Sequence, residues 1–233
     1  MNKEQFINEL KKININITVE MLSKLDKYYQ ILVDENKLYN LTAITEENQV
    51  YLKHFYDSLS IIRITNLSNQ YLLDIGTGAG FPGLVLKIVF PNLKIDLLDS
   101  TNKRCLFLKK VINELELTDI NVINARAEEY TKINREKYDI VTSRAVAPLK
   151  HLLEYSIPTL KINGTFISLK SNLDEELINI NKYYQKLYLT NEEIIKYELP
   201  FENSKRTLYK VTKTKSTPLQ YPRTYSQIKK KEI

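Results

Sequence analysis

From residue 71 onward the chain alternates short apolar runs with longer stretches that are apolar at every third or fourth place. The short runs fall at 71–75, 94–98, 120–124, 138–142 and 164–169. They read as strands buried on both faces, because apolar residues occupy successive places as well as alternate ones. Helices are predicted between them at 83–90, 102–117, 148–157 and 173–186. Such β-α repetition implies a parallel sheet with helices on both faces. Two later runs, 194–199 and 206–212, have no helix between them and read as an antiparallel pair closing one edge. Residues 1–65 carry a helical pattern instead. Thr18 is placed to cap a helix with Leu22, Leu25, Tyr29 and Leu32 on one stripe. After a break at 36–43, where Asn40 and Thr42 suit a turn, a second helix starts near Thr45 and buries Leu52, Phe55, Leu59 and Ile62. His54, Asp57 and Ser58 share its neighbouring face, at i, i+3 and i+4. The expected division is a helical cap over 1–68, a Rossmann-like domain over 69–215, and a flexible tail over 216–233, where periodicity is lost.

The first strand runs into Asp74-Ile-Gly-Thr-Gly-Ala-Gly-Phe-Pro-Gly83. The chain has five glycines, and four of them are Gly76, Gly78, Gly80 and Gly83. A sequence so poor in glycine keeps it where the backbone needs positive φ or must approach a ligand closely. Two ligands compete for this turn. Gly78-x-Gly80-x-x-Gly83 fits the dinucleotide fingerprint. Asp74-x-Gly76-x-Gly78-x-Gly80 fits the acidic glycine signature of S-adenosylmethionine (AdoMet) methyltransferases. A carboxylate at the strand end, Asp74, suits a cationic methionine ammonium and has no use beside a pyrophosphate. Asp99, at the end of the second strand, can accept from both ribose hydroxyls and serves either ligand. The balance favours AdoMet, with an NAD(P)-linked oxidoreductase as the alternative. A third reading is an RNA-binding protein without catalysis.

Net charge is +6, and its placement matters more than its sum. Residues 204–233 carry +8 and the remainder −2. Lys and Arg there are interleaved with Tyr209, Tyr221 and Tyr225, a combination suited to phosphate contacts and base stacking. One cysteine excludes an internal disulfide and suits a reducing compartment. The first ten residues are too charged for a signal peptide, and no apolar run reaches the ~18 residues of a membrane span. A cytoplasmic monomer without a metal site is expected, since no His, Cys and Asp cluster has ligand spacing. Cys105 falls on a core stripe with Leu108, Ile112 and Leu115, so a cysteine nucleophile is not indicated.

Four stretches carry a specific resemblance. They are Asp74–Gly83, Leu97-Leu-Asp-Ser-Thr-Asn-Lys-Arg-Cys-Leu-Phe-Leu108, Ala125-Arg-Ala-Glu-Glu129 and Ser143-Arg-Ala-Val-Ala-Pro-Leu149. With Asn40-Leu-Thr42, His54-Phe-Tyr-Asp-Ser-Leu59 and Tyr221-Pro-Arg223, they resemble the RsmG/GidB family over essentially the whole length. That resemblance implies a class I AdoMet-dependent methyltransferase fold, Rossmann-like, with a seven-stranded, mostly parallel sheet, an antiparallel edge pair and an N-terminal helical extension. It implies methylation of a guanine N7 in 16S rRNA, with the 30S ribosomal particle as partner. Carried over by position, Gly76, Phe81, Ala127 and Glu128 line the AdoMet pocket, with Asp74, Gly78, Gly80 and Asp99 from the turn and the second strand. Arg144 sits at the ligand and, with Lys170, is the catalytic candidate. Arg126, Lys170, Arg206, Arg223, Lys229 and Lys230 are the candidate RNA contacts. Guanine N7 carries a free lone pair, so positioning and electrostatics can suffice without a general base.

Overall fold

The structure, a computed structural model, describes residues 1–233, the side chain of Asn191 excepted. Two helices open the chain. α1 (Lys3–Lys12) starts on an Asn2 capping box, and α2 (Val19–Tyr39) starts on Thr18, whose hydroxyl accepts from the Met21 amide. Asn40 ends α2 in the left-handed conformation, which asparagine tolerates better than most residues. A continuous helical run follows: α3 (Glu47–Val50), a π-helical turn Tyr51–Tyr56, α4 (Asp57–Leu59) and a 3-10 turn Ser60–Arg63. Of the six residues of the π turn, Tyr51, Leu52, His54, Phe55 and Tyr56 are buried.

The sheet and its helices come next: β1 (Tyr71–Ile75), α5 (Gly83–Val89), β2 (Lys94–Asp99), α6 (Asn102–Glu114), β3 (Ile120–Asn124), α7 (Ala127–Ile133) and β4 (Tyr138–Arg144). They continue with α8 (Leu149–Ser156), β5 (Leu160–Lys170), α9 (Asn181–Leu187), β6 (Leu189–Glu198), β7 (Lys205–Lys213) and α10 (Tyr225–Lys230). The strand order is β3-β2-β1-β4-β5-β7-β6. The first five strands are parallel, and β7 pairs antiparallel with both β5 and β6. This is the seven-stranded class I methyltransferase sheet with its antiparallel edge pair, as expected. The order reverses between β1 and β4, so the ligand crevice opens there, beyond the carboxyl ends of the strands.

Successive strand residues feed opposite faces. Leu72, Leu97, Ile140, Ile167 and Leu208 join the core beneath α1, α2, α5 and α6. Their neighbours Leu73, Leu98, Val141, Phe166 and Tyr209 join the core beneath α8, α9 and the end of the chain. The N-terminal helices have no core of their own. Phe6, Tyr28, Tyr51 and Phe55 lie in one cluster with Leu84 and Phe107. Tyr28 stacks on Phe55 (centroids 5.5 Å apart) and contacts Phe81 (5.7 Å), while its hydroxyl donates to the Ala79 carbonyl. That bond fastens the cap to the glycine turn.

Three expectations need correction. The helix predicted over 173–186 starts only at Asn181, and 173–180 forms turns that bury Leu173 and Ile180. A helix between β3 and β4, α7, was missed; its one buried side chain, Thr131, leaves no apolar stripe to read. The tail over 216–233 is docked, not loose. Tyr221 and Ile233 are buried, Arg135 donates to the Thr217 and Tyr221 carbonyls, and Arg223 pairs with the buried Glu154.

Candidate active site

A cavity of about 1020 Å³ opens at the carboxyl ends of β1, β2, β4 and β5, large enough for a cofactor and part of a second ligand. On its β1–β3 side, the loop after β1 forms a cradle. Gly78 has φ +62°, and a Cβ there would meet nothing nearer than the Gly76 carbonyl at 3.9 Å, so the cradle is open where a ligand would lie. The Gly78 amide donates to Asp99 Oδ2 (3.0 Å), and the Thr101 amide to Asp99 Oδ1 (2.8 Å). Asp99 is thereby fixed at the strand end with lone pairs to spare. Phe81, Leu98, Ala125, Ala127 and Val146 supply apolar walls, and Glu128 stands beside them.

At Gly76 and Gly80 packing also excludes a side chain. A Cβ on Gly76 would fall 2.6 Å from Val146, and one on Gly80 would fall 2.4 Å from Leu84. Gly80 does not line the cavity; its amide closes the turn on the Thr77 carbonyl (2.9 Å).

Asp74 differs most from its expected role. It is fully buried and does not reach the cavity. Its Oδ2 accepts from the Thr77 hydroxyl (2.6 Å) and from the Gly83 amide (2.9 Å), the first N–H of α5. The carboxylate therefore braces the turn and occupies the helix start where a dinucleotide fold seats its pyrophosphate. Burial is the main reason its carboxyl is pushed up, to about 6; the Thr77 and Gly83 bonds hold it partly down. Its Oδ1 is buried without a partner. A cradle with an open glycine, a fixed acid at the β2 end and a helix start closed by its own carboxylate fits AdoMet and opposes a dinucleotide.

On the β4–β7 side the cap meets the sheet around Asp57. This buried carboxylate accepts from Arg144 Nη1 (3.1 Å) and the Tyr197 hydroxyl (3.1 Å) and is ion-paired with Arg206 Nε (3.2 Å). Arg144 also donates from Nη1 to the Lys53 carbonyl (2.8 Å), and its guanidinium lies 5.1 Å from the Phe81 ring centroid. Its Nη2 meets His54 Nδ1 at 3.2 Å. Arginine is always a donor, so Nδ1 accepts and Nε2–H donates to the Thr42 hydroxyl (2.9 Å). His54 stacks on Phe81 (4.4 Å). Burial first, and Arg144 second, lower its pKa to about 3. His54 is a neutral strut between cap and sheet, with both nitrogens engaged. Arg144 lines the cavity and spends three of its five N–H donors on the cap.

The structure brings together Gly76, Gly78, Phe81, Asp99, Arg126, Ala127, Glu128, Arg144, Lys170, Arg206 and Lys229 around the one cavity. Lys170, expected both as catalytic and as an RNA contact, is committed elsewhere. Its Nζ donates to the Ala147 carbonyl (2.8 Å) and to both oxygens of Glu176 (2.7 and 2.6 Å), so its three protons are used in ordering the 145–149 loop. Arg223 is likewise withdrawn from RNA. It makes a two-pronged contact with the fully buried Glu154 (2.8 and 2.7 Å). Lys230 is exposed outside the cavity. Cys105 is buried, which pushes its thiol pKa up. Sequence reasoning missed Lys53, Tyr155 and the Asp57–Arg206 pairing, because only tertiary packing brings the cap, α8 and β7 to one cavity.

Seven cations line the cavity. Lys53, Arg104, Arg144, Lys170 and Arg206 each face a carboxylate within 4 Å. Among the described residues, Arg126 and Lys229 have no such partner; Arg126 lies over the Tyr225 ring (5.8 Å).

Comparison with known proteins adds the following. A family profile described as rRNA small subunit methyltransferase G (GidB) matches residues 21–208. The ribosomal RNA small subunit methyltransferase G of Mesoplasma florum is 49% identical over 214 residues, covering 91% of this chain and 89% of the relative. That of Acetivibrio thermocellus is 46% identical over 211 residues, covering 90% and 87%. Among solved structures, a SAM-dependent methyltransferase from Aquifex aeolicus superposes with a TM-score of 0.54 at 15% identity, over 72% of this chain and 94% of that one. At that identity the likeness speaks for the fold.

Proposed function

The chain belongs to the GidB family, rRNA small subunit methyltransferase G, and is an AdoMet-dependent rRNA methyltransferase of the class I fold; we propose that it methylates N7 of a guanine in 16S rRNA. AdoMet supplies a methyl group on a sulfonium, open to in-line displacement. What this chain must supply is binding, orientation and an electrostatic setting. The cofactor seat is Gly76, Gly78, Phe81, Asp99, Ala127 and Glu128, with Asp74 holding the loop from behind. The guanine enters on the β4–β7 side, where Arg144 keeps two N–H donors for O6 or a flanking phosphate.

One observation carries the choice of N7. On the β4–β7 side the imidazole and the carboxylate, His54 and Asp57, have their hydrogen-bonding groups committed to Arg144, Thr42 and Tyr197, with Arg206 ion-paired to Asp57. The remaining histidine at the cavity, His151, stands on α8 beside Tyr155. With His54 and Asp57 so engaged, the β4–β7 side suits a nucleophile with a free lone pair and no proton to lose. The N-terminal segment 1–68 serves as the cap that closes this half of the site.

The protein works as a cytoplasmic monomer on the 30S particle. No helix among the described residues is long and apolar enough to cross a membrane. The test is transfer of labelled methyl from AdoMet to small-subunit particles and to protein-free rRNA, followed by mapping of the modified base. A single N7-methylguanine in 16S rRNA is expected. A methyl on any other atom overturns the N7 assignment. Stabilisation in a thermal melt by NAD(P), and none by S-adenosylhomocysteine, overturns the cofactor seat.

A further inference from the structure

The hairpin between β6 and β7 lies at the same sheet edge as the cavity. Lys170, the last residue of β5, pairs with Thr207, and Glu198 pairs with Lys205, so the turn 199–204 projects beyond the carboxyl ends of the parallel strands. The turn is fixed at both sides. Leu199 is buried in the core beneath the cap, and its amide donates to the Ser204 carbonyl (3.0 Å). Glu202 pairs with Lys53, which lines the cavity (3.2 Å).

Between these two anchors stands Phe201. Its φ is +67°, a left-handed conformation unusual for a bulky side chain, and it is 60% exposed. Glycine or asparagine would hold such a turn with less strain, and a polar residue would meet water at less cost. The next exposed charged residue, Lys205, has no carboxylate partner among the described residues, and Arg206 after it lines the cavity. Tyr225, the exposed aromatic that lines the cavity, stands with Arg126 after β3, toward the opposite end of the sheet order. Phe201, outside the cavity lining, is the exposed aromatic on the β4–β7 side, next in sequence to Glu202 and so to the Lys53 wall of the cavity.

We propose that Phe201 is a stacking platform for an unpaired RNA base flanking the target guanine, with Lys205 on the adjoining phosphate. The inference rests on the rRNA reading above and names a positioning residue, outside the cofactor seat. An exposed aromatic followed closely in the chain by an unpaired cation is the combination by which single-stranded RNA is gripped without sequence readout. The turn fixes the backbone that carries the ring, so little main-chain freedom is lost when a base stacks on it.

Phe201→Asn removes the ring and relaxes the left-handed strain, so the urea midpoint should hold or rise. Filter binding of protein-free small-subunit rRNA at fixed salt should weaken about tenfold, and the KM for small-subunit particles should rise by a similar factor. The Kd for S-adenosylhomocysteine should stay unchanged, and Phe201→Trp should bind RNA as wild type does. Equal RNA affinity for Phe201→Asn and wild type overturns the proposal. So does a loss seen with particles but not with protein-free RNA, which would assign the ring to a ribosomal protein, or a loss of S-adenosylhomocysteine binding, which would make the effect structural. If the wild-type protein transfers no methyl to either RNA substrate, the substrate assignment fails instead.

Discussion

Two buried titratable residues show how burial fixes roles that spacing alone leaves open. Asp74 was legible as an acid at a strand end. Its target was not, because the bond to the Gly83 amide closes nine residues on, only after the turn has folded. With its carboxyl raised from 3.8 to about 6, chiefly by burial, the folded chain retains a proton between about pH 4 and 6 that the unfolded chain gives up. This group's contribution to stability therefore falls as pH rises through that window. Above it, an unfavourable offset on the order of 3 kcal/mol remains. Asp74→Asn cannot ionise, so its unfolding free energy relative to wild type should improve by about 2–3 kcal/mol from pH 4 to pH 6 in urea titrations. A constant difference would show that the carboxyl titrates normally. His54 has the opposite sign. Its pKa falls from 6.5 to about 3, so the stability tied to its neutral ring is fully present above pH 6.5 and is lost as pH drops toward 3. That slope is common to both proteins and cancels in the comparison. The same depression predicts that the His54 ring resonances stay unshifted between pH 5 and 8 in NMR titrations. A midpoint near 6.5 would contradict the neutral strut.

At the scale of elements, the strands were legible because each is an apolar run fed to two cores, whereas helices with little to bury were not. α7 shows one buried residue, and α9 starts late because the turns before it bury Leu173 and Ile180 without helical periodicity. The end of the chain misled for a different reason. Its lysines and tyrosines read as a loose basic arm, and nothing local marks Arg223 as the partner of Glu154, 69 residues earlier. Glu154 is fully buried and accepts from the Arg223 amide as well as its guanidinium (2.9, 2.8 and 2.7 Å). Arg223→Ala strands that carboxylate, and loss of one partner of a buried pair costs about 3 kcal/mol. The urea midpoint should drop accordingly, and residues 216–233 should become the first site of limited proteolysis. Arg223→Lys should rescue only in part, since an ammonium cannot make the two-pronged contact. Unchanged proteolysis of Arg223→Ala would mean that Tyr221 and Ile233 hold the tail without the ion pair.

Across the whole molecule, net charge overstates what is available to RNA. Residues 204–233 carry +8, yet Arg206, Arg223 and Lys213 are tied to Asp57, Glu154 and Glu136 inside the protein. Of the cations expected at RNA, the structure ties Arg206, Arg223 and Lys170 to carboxylates and leaves Arg126, Lys229 and Lys230 without one among the described residues. Binding to a polyanion releases counterions only where a cation meets a phosphate, so the salt dependence of affinity counts the free ones. At the cavity those are Arg126 and Lys229, on the two elements that frame its β3 side. The slope of log affinity against log salt, measured with protein-free small-subunit rRNA, should shrink in magnitude by about 0.7 for each of Arg126→Ala and Lys229→Ala. Lys170→Met and Arg223→Gln should change stability and leave the slope as it is, because their charges are spent on Glu176 and Glu154. A slope that falls for Lys170→Met would mean that RNA draws this lysine away from Glu176. The 145–149 loop, which Glu176 also holds through the Leu149 amide, would then rearrange whenever substrate binds.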